Sequence, residues 1–144
     1  MTADHARRTR SAGWLALGAF LAGSGVAAGA FGAHGLKAVL SVTQLSAYQT
    51  AVDYQLYHAL ALCVIALGLR TGLPARSLQG VAMLFSLGIG LFSGSLYIRL
   101  LSDIPLSPLV TPLGGVLFML GWLWLGIAAI RMARHAESSG REEK

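Results

Sequence analysis

The side chains best suited to chemistry in this chain are a few histidine, tyrosine, serine and arginine residues that border apolar stretches. Tyr54 and His58 are spaced i, i+4, as are Asp53 and Tyr57, so each pair shares one face if the segment is helical. Together with His34, His58 could ligate haem, or copper or zinc with a third ligand. The same residue types could also support a serine–histidine–aspartate hydrolase or a proton-coupled carrier.

Each of these chemistries lacks part of its usual pattern. The chain contains no Cys-x-x-Cys-His or His-Glu-x-x-His motif, and its carboxylates are not clustered. A triad drawn from Ser93, His58 and Asp53 has no nucleophile elbow, and its last two members lie at an unhelpful i, i+5 offset. No Asp or Glu falls at the centre of an apolar stretch, where a carrier would need one. We therefore expect a protein that is not an enzyme, with no catalytic residues, no metal site and no cofactor.

The elements that position these side chains follow from the charge pattern. Only 12% of the 144 residues are charged and 55% are hydrophobic, against roughly 25% charged in soluble domains. Charged residues are absent from four stretches of 21, 16, 22 and 27 residues, namely 13–33, 54–69, 77–98 and 104–130. A membrane-spanning helix needs about 20 such residues. The composition excludes an ordinary soluble enzyme and a disordered tail, and the single cysteine, Cys63, excludes a disulfide-stapled module.

We predict an all-α fold, an integral membrane bundle of four transmembrane helices at 13–33, 54–69, 78–98 and 109–130. Residues 13–130 form this membrane domain, between a basic N-terminus at 1–12 and a polar tail at 131–144. Ser41 and Gln44 fit a capping box, and apolar residues recur at helical spacing after it. This pattern predicts an amphipathic outer segment before the second span.

The basic residues orient the predicted bundle. Nine of the eleven lie before the first span, between the second and third, or after the fourth, whereas Lys37 and Arg99 lie on the other side. Because basic loops mark the cytoplasmic side, both termini are predicted to be cytoplasmic. Trp122 and Trp124 are then expected at the inner interface. This orientation accounts for the net charge of +5 without nucleic acid as a partner.

A cleaved secretory signal is the alternative for the N-terminus. Arginines precede an apolar run, and Ala28-Gly-Ala30 fits a small-residue cleavage site. The run is longer than the usual signal core, so we expect the first span to be retained.

Four short motifs carry a family resemblance. They are Gly29-Ala-Phe-Gly-Ala-His-Gly-Leu36, Tyr54-Gln-Leu-Tyr-His-Ala-Leu-Ala-Leu62, Leu91-Phe-Ser-Gly-Ser-Leu-Tyr97 and Thr111-Pro-Leu-Gly-Gly115 with Gly121-Trp122. In this order they closely resemble the small membrane-protein family called domain of unknown function 423, to which animal transmembrane protein 256 is similar. The resemblance covers about residues 13–130. It implies a four-helix protein of the bacterial inner membrane, or of mitochondria in animals, and it supplies no catalytic mechanism.

All four motifs map to the outer half of the predicted bundle, which places a polar cluster there. The tyrosines could form an interfacial belt, the serines could bond to backbone, and the histidines could act as hydrogen-bonding staples between helices. The arginine could pair with Asp53 or Asp103. The candidate outer polar cluster comprises His34, Asp53, Tyr54, Tyr57, His58, Ser93, Ser95, Tyr97, Arg99 and Thr111. Glycines spaced for close packing, within the chain or against another copy, are Gly25, Gly29, Gly32, Gly90, Gly94, Gly114 and Gly115.

The function expected from these observations is a non-enzymatic accessory, assembly or scaffold role in the membrane. Its contacts would be membrane lipids and either a membrane-protein partner or a second copy in a homo-oligomer. The alternative is a membrane binding protein, in which the outer cluster of His34, Tyr57, His58 and Arg99 holds a metal, haem, quinone or lipid headgroup.

Overall fold

The fold consists of helices and their connections throughout the part of the chain that is described. The computed structural model describes residues 3–71 and 73–142, with side chains for 5–71 and 73–134. Five α-helices and one short π-helix follow one another in these residues. They are α1 (Ala3–His34), α2 (Val42–Gly68), α3 (Ala75–Ile89), the π-helix (Gly90–Gly94), α4 (Ser95–Leu101) and α5 (Val110–Glu142).

Four of the helical segments are long and apolar enough to cross a membrane, because α3, the π-helix and α4 form one continuous span. Their bounds are His5–His34, Val42–Gly68, Ala75–Leu101 and Val110–Arg134. At about 1.5 Å per residue, each exceeds the roughly 30 Å of a bilayer's hydrocarbon core. The prediction of an all-α integral membrane bundle with four spans is confirmed.

The predicted amphipathic segment and the second span form one unbroken helix, α2. The Ser41 side chain accepts a hydrogen bond from the backbone of Gln44, whose side chain bonds back to the Ser41 backbone, so the predicted capping box is present. This cap starts the helix at Val42, well before the charge-free stretch begins. The outward face of α2 is therefore polar in its first half, with Gln49 exposed, and apolar in its second half, with Val64 exposed.

The helices are arranged with α2 and α3 in the middle and α1 and α5 at the periphery. α1 packs along α2, α5 packs along α3, and α2 meets α3 between them. The largest group of buried apolar side chains comprises Leu62, Ile65, Leu69, Leu78, Val81, Ala82, Phe85, Ile89 and Phe118. The peripheral helices keep broad apolar surfaces, on which Phe20 is 72% and Met119 is 66% exposed. Such surfaces fit contact with lipid chains.

The two ends of the bundle differ in what they carry. We call the end with the start of α1, the α2–α3 connection and the end of α5 the terminal face. The opposite end, with the connections 35–41 and 102–109, is the loop face. Basic residues concentrate at the terminal face, as the charge pattern predicts.

Candidate functional site

His58 lies where α2 meets α3 and α5, and it is the most constrained polar side chain of the predicted cluster. Its Nδ1 is 2.7 Å from the carbonyl oxygen of Tyr54, and the indole Nε1 of Trp122 lies 3.0 Å from its Nε2. A carbonyl only accepts and an indole only donates, so His58 is neutral, with its proton on Nδ1. The ring stacks on Phe118 at a centroid distance of 3.5 Å and meets the edge of Phe85.

Both ring nitrogens of His58 are therefore engaged within the protein. A metal or haem iron needs a free lone pair, and the one on Nε2 already accepts the hydrogen bond from Trp122. No group of three or more His, Cys, Asp or Glu that could hold a metal ion occurs among the described residues. The geometry thus disfavours a metal or haem at this histidine.

The two histidines do not share a site. His34 is exposed at the end of α1, and Tyr48 lies beside Gly32 near that end. Tyr48 precedes His58 by ten residues on α2, so about 15 Å of helix separates the level of His34 from the level of His58. His58 also lies deeper than the predicted outer interface: its neighbour Phe118 falls close to the middle of the charge-free stretch 104–130.

Trp122 does not lie at the interface where the sequence analysis expected it. Its hydrogen bond to His58 places the indole at the same level, in the middle of the fourth span. The indole nitrogen finds its partner inside the bundle, although the residue is 49% exposed at the side.

A second polar network, centred on Gln55, joins α1, α2 and α4. The amide nitrogen of Gln55 donates to the carbonyl of Leu21 at 2.8 Å and to the hydroxyl of Ser24 at 2.9 Å. The Tyr97 hydroxyl donates to Oε1 of Gln55 at 2.9 Å. The Tyr48 hydroxyl donates to a carbonyl of α1, and its ring lies 5.2 Å from that of Tyr97. The network is a tie between helices.

The sequence analysis missed Gln55, Ser24 and Tyr48 as members of this network. Gln55 is 5% exposed and Tyr48 is 2% exposed. The signal was present, because a glutamine inside a charge-free stretch must find partners in a membrane.

The serines of the third span lie beside the π-helix. Ser95 donates to the carbonyl of Phe92 and lies 2.6 Å from the hydroxyl of Thr111, which ties this span to the start of α5. Ser93 is fully buried, and its hydroxyl has no hydrogen-bond partner among the described residues. These two serines therefore face protein rather than an open site.

The charged members of the predicted cluster, Arg99 and Asp53, make local hydrogen bonds. The guanidinium of Arg99 donates to the backbone carbonyls of Leu106 and Ser107 at 3.1 and 2.7 Å, and so fastens the connection to α5. The Arg99 hydrogen bonds thus run to backbone, whereas the sequence analysis considered a pair with Asp53 or Asp103. Asp53 accepts a hydrogen bond from its helix neighbour Gln49.

The predicted packing glycines fall into two groups. Those on α1 face α2 within the same chain: a Cβ on Gly25, Gly29 or Gly32 would meet Leu56, Val52 or Tyr48, respectively. Those on α5 face Phe92. A Cβ on Gly114 would collide with the backbone nitrogen of Phe92, whereas a Cβ on Gly115 would make only ordinary contact with the ring of Phe92.

Gly90 and Gly94 do not serve as close-packing positions. A Cβ on Gly90 would meet nothing within 4 Å, and one on Gly94 only a backbone carbonyl at 3.9 Å. Gly88 and Gly121 are close-packed instead, against Phe118 and Phe85. Gly90 lies two residues after Gly88 and therefore on the opposite face of the helix.

An aromatic groove opens on the side of the molecule between α2 and α5. It has a volume of about 600 Å³. Tyr54 forms part of the wall by stacking on Phe92 at 4.7 Å, and Tyr57 is 61% exposed at the rim. The hydroxyls of these two tyrosines make no hydrogen bond to any described residue. The full lining is Tyr54, Tyr57, His58, Phe92, Pro112, Gly115, Phe118, Met119 and Trp122.

Four apolar spans, internally bonded polar side chains and lipid-compatible outer faces define a multi-pass integral membrane protein. The model of a protein family of unknown function, domain of unknown function 423, matches residues 28–115. The chain belongs to this family, and the resemblance seen in its four motifs is confirmed. No solved structure matches the chain significantly.

Its relatives include bacterial membrane proteins of similar length. A UPF0382 membrane protein of Staphylococcus saprophyticus is 44% identical over 119 residues, which cover 83% of this chain and 98% of the relative. The Bacillus subtilis membrane protein YwdK is 40% identical over 118 residues, which cover 82% of this chain and 96% of the relative. The Escherichia coli inner membrane protein YgdD is 39% identical over 78% of this chain and 86% of its own.

Proposed function

We propose that this protein is a non-enzymatic accessory, assembly or scaffold component of the bacterial inner membrane. The observation that supports this role is the use of its interior polar groups. Both nitrogens of His58 and both ends of the Gln55 amide bond within the bundle. These groups hold helices together, and their hydrogen-bonding capacity is used inside the bundle.

The test is to isolate the tagged protein from its native membranes in a mild detergent and to determine the mass of the complex that contains it. We expect a complex of defined stoichiometry, larger than the monomer, without a Soret band or stoichiometric metal. A monomer that carries a chromophore or a metal ion would contradict the scaffold role. A His58→Leu variant extends the test: a structural histidine predicts lower thermal stability, whereas unchanged stability with a lost ligand would contradict the proposal.

The orientation that we propose has both termini in the cytoplasm. It is supported by the sequence positions of nine of the eleven basic residues, which precede the first span, connect the second and third, or follow the fourth, and by the inner-membrane name of the Escherichia coli relative. Reporter fusions after residues 40 and 105 should report a periplasmic or external position, and fusions after residues 73 and 135 a cytoplasmic one. The reverse pattern would overturn the orientation.

A second candidate function, binding of a quinone-like ring, is favoured by the aromatic groove between α2 and α5. The groove opens towards lipid, its walls are flat aromatic faces, and the hydroxyls of Tyr54 and Tyr57 are free to donate to a ring carbonyl. Titration with a short-chain quinone should quench the tryptophan fluorescence of the wild type and do so less in a Tyr54→Phe/Tyr57→Phe variant. Equal quenching in both would remove this candidate.

A further inference from the structure

A small basic cavity lies at the terminal face, between the first turns of α1 and the start of α3. Its volume is about 250 Å³, and Arg7, Arg10 and Gln79 line it above an apolar floor that includes Leu69 and Ala75. No described residue forms a hydrogen bond or an ion pair with the side chain of either arginine. Two unpaired guanidinium groups facing one cavity are matched to an anion with several oxygen atoms, such as a phosphate.

An apolar groove continues from this cavity towards the middle of the bundle. It has a volume of about 440 Å³ and shares Arg10 and Gln79 with the cavity. Along α1 it is lined by Gly13, Trp14 and Leu17. From Arg10 to Leu17 the groove follows α1 for about 10 Å, from the basic end into the hydrocarbon region. A Cβ on Gly13 would meet nothing within 4 Å, so the groove is open at this glycine.

The start of α3 adds to the positive potential of the cavity. Ala75 is the first residue of this 15-residue helix, and Pro74 before it makes no side-chain cap. The free amide groups of the first turn therefore carry a partial positive charge near the arginines.

We propose that the cavity and the groove together bind one anionic phospholipid, such as phosphatidylglycerol. Its phosphate lies between Arg7 and Arg10, and one acyl chain lies in the groove past Gly13. A free anion would need only the cavity, and an acyl chain alone would need only the groove. A phospholipid uses both, and basic cavities between transmembrane helices are known to bind acidic headgroups.

The experiment measures lipid binding to the purified full chain by native mass spectrometry, with phosphatidylglycerol and phosphatidylcholine of equal chain length. We expect the wild type to bind phosphatidylglycerol in preference, with one tightly held molecule. Arg7→Ala/Arg10→Ala should weaken this binding about thirtyfold, since each basic side chain contributes roughly five- to sixfold. The control, Arg134→Ala/Arg141→Ala, removes the same charge from α5 and should retain the binding.

A matched pair of glycine variants tests the groove. Gly13→Leu places a bulky side chain in the groove at a position where the added Cβ meets no atom within 4 Å, whereas Gly23→Leu lies at an equally open position of α1 outside the groove. We expect Gly13→Leu to weaken phosphatidylglycerol binding at least tenfold and Gly23→Leu to leave it unchanged. Inorganic phosphate at millimolar concentration should not displace the lipid.

Three results would overturn the proposal. An equal loss in both arginine pairs would show general surface attraction rather than a site. Binding by Gly13→Leu as tight as that of the wild type would show that the groove does not hold the acyl chain. Full displacement by inorganic phosphate would identify a site for a free anion.

Discussion

The hydrogen bond between Trp122 and His58 offers the sharpest test of how this bundle is held together. It joins α5 to α2 near mid-membrane, at a distance of 3.0 Å. An interhelical hydrogen bond in a membrane protein contributes about 0.6 kcal/mol on average and at most about 1.7 kcal/mol. The stack of His58 on Phe118 adds about 0.5–1.5 kcal/mol. His58→Leu removes both interactions, so we expect it to lower the free energy of unfolding by about 1–3 kcal/mol.

A double-mutant cycle isolates the hydrogen bond from the stack. Trp122→Phe removes the donor and leaves Nε2 of His58 buried without one, which should cost about 1–2 kcal/mol. The double variant loses the same hydrogen bond only once, so its cost should fall short of the sum by about 1 kcal/mol.

The assay is reversible unfolding by sodium dodecyl sulfate in lipid–detergent micelles, followed by circular dichroism. Tyr57→Phe is the control, because it removes an exposed hydroxyl without a hydrogen-bond partner among the described residues, and it should change stability by less than about 0.5 kcal/mol. Additive effects of the two substitutions, or a His58→Leu variant as stable as the wild type, would refute this account of the histidine.

Two further predictions concern the loop-face half of the molecule. Gly114→Ala should destabilise the bundle by several kcal/mol, because the new methyl group would collide with the rigid backbone of Phe92. Gly115→Ala adds a methyl group in ordinary contact with the same residue, so it should be within about 1 kcal/mol of the wild type in the same unfolding assay. Equal effects of the two substitutions would contradict the close approach of Gly114 to Phe92. Arg99→Ala should increase amide hydrogen exchange in the connection 102–109, because the two hydrogen bonds of Arg99 hold this exposed loop. The free energy of unfolding should change by no more than about 1 kcal/mol. Unchanged exchange in the loop would contradict this role of Arg99.

The number of spans and their helical nature could be predicted from the sequence because they depend on local properties. Gaps between charges define the four spans, and the capping box at Ser41 marks the start of α2 within the chain itself. Membership of the family could also be predicted, since each of the four motifs is a short continuous stretch of sequence.

The relative depth of the helices could not be predicted in the same way. Trp122 and His58 lie on different spans. The relative depth of these spans depends on how the side chains of three helices pack together, and the sequence of one helix alone does not determine that packing. The face that a glycine pair presents could not be predicted either. Gly88 faces Phe118 of α5 and Gly90 lies on the opposite side of the helix, so the spacing of Gly90 and Gly94 does not produce close packing here.

The pairing of helices has a consequence for how the protein is made. Neighbours in sequence are also the closest neighbours in space: α1 with α2, and the third span with α5. As the chain leaves the ribosome, the first hairpin can close through Gln55 and α1 before α5 has been synthesised. We expect assembly in the bilayer to proceed by docking of these two helix pairs, a step in which Trp122 of the second pair meets His58 of the first.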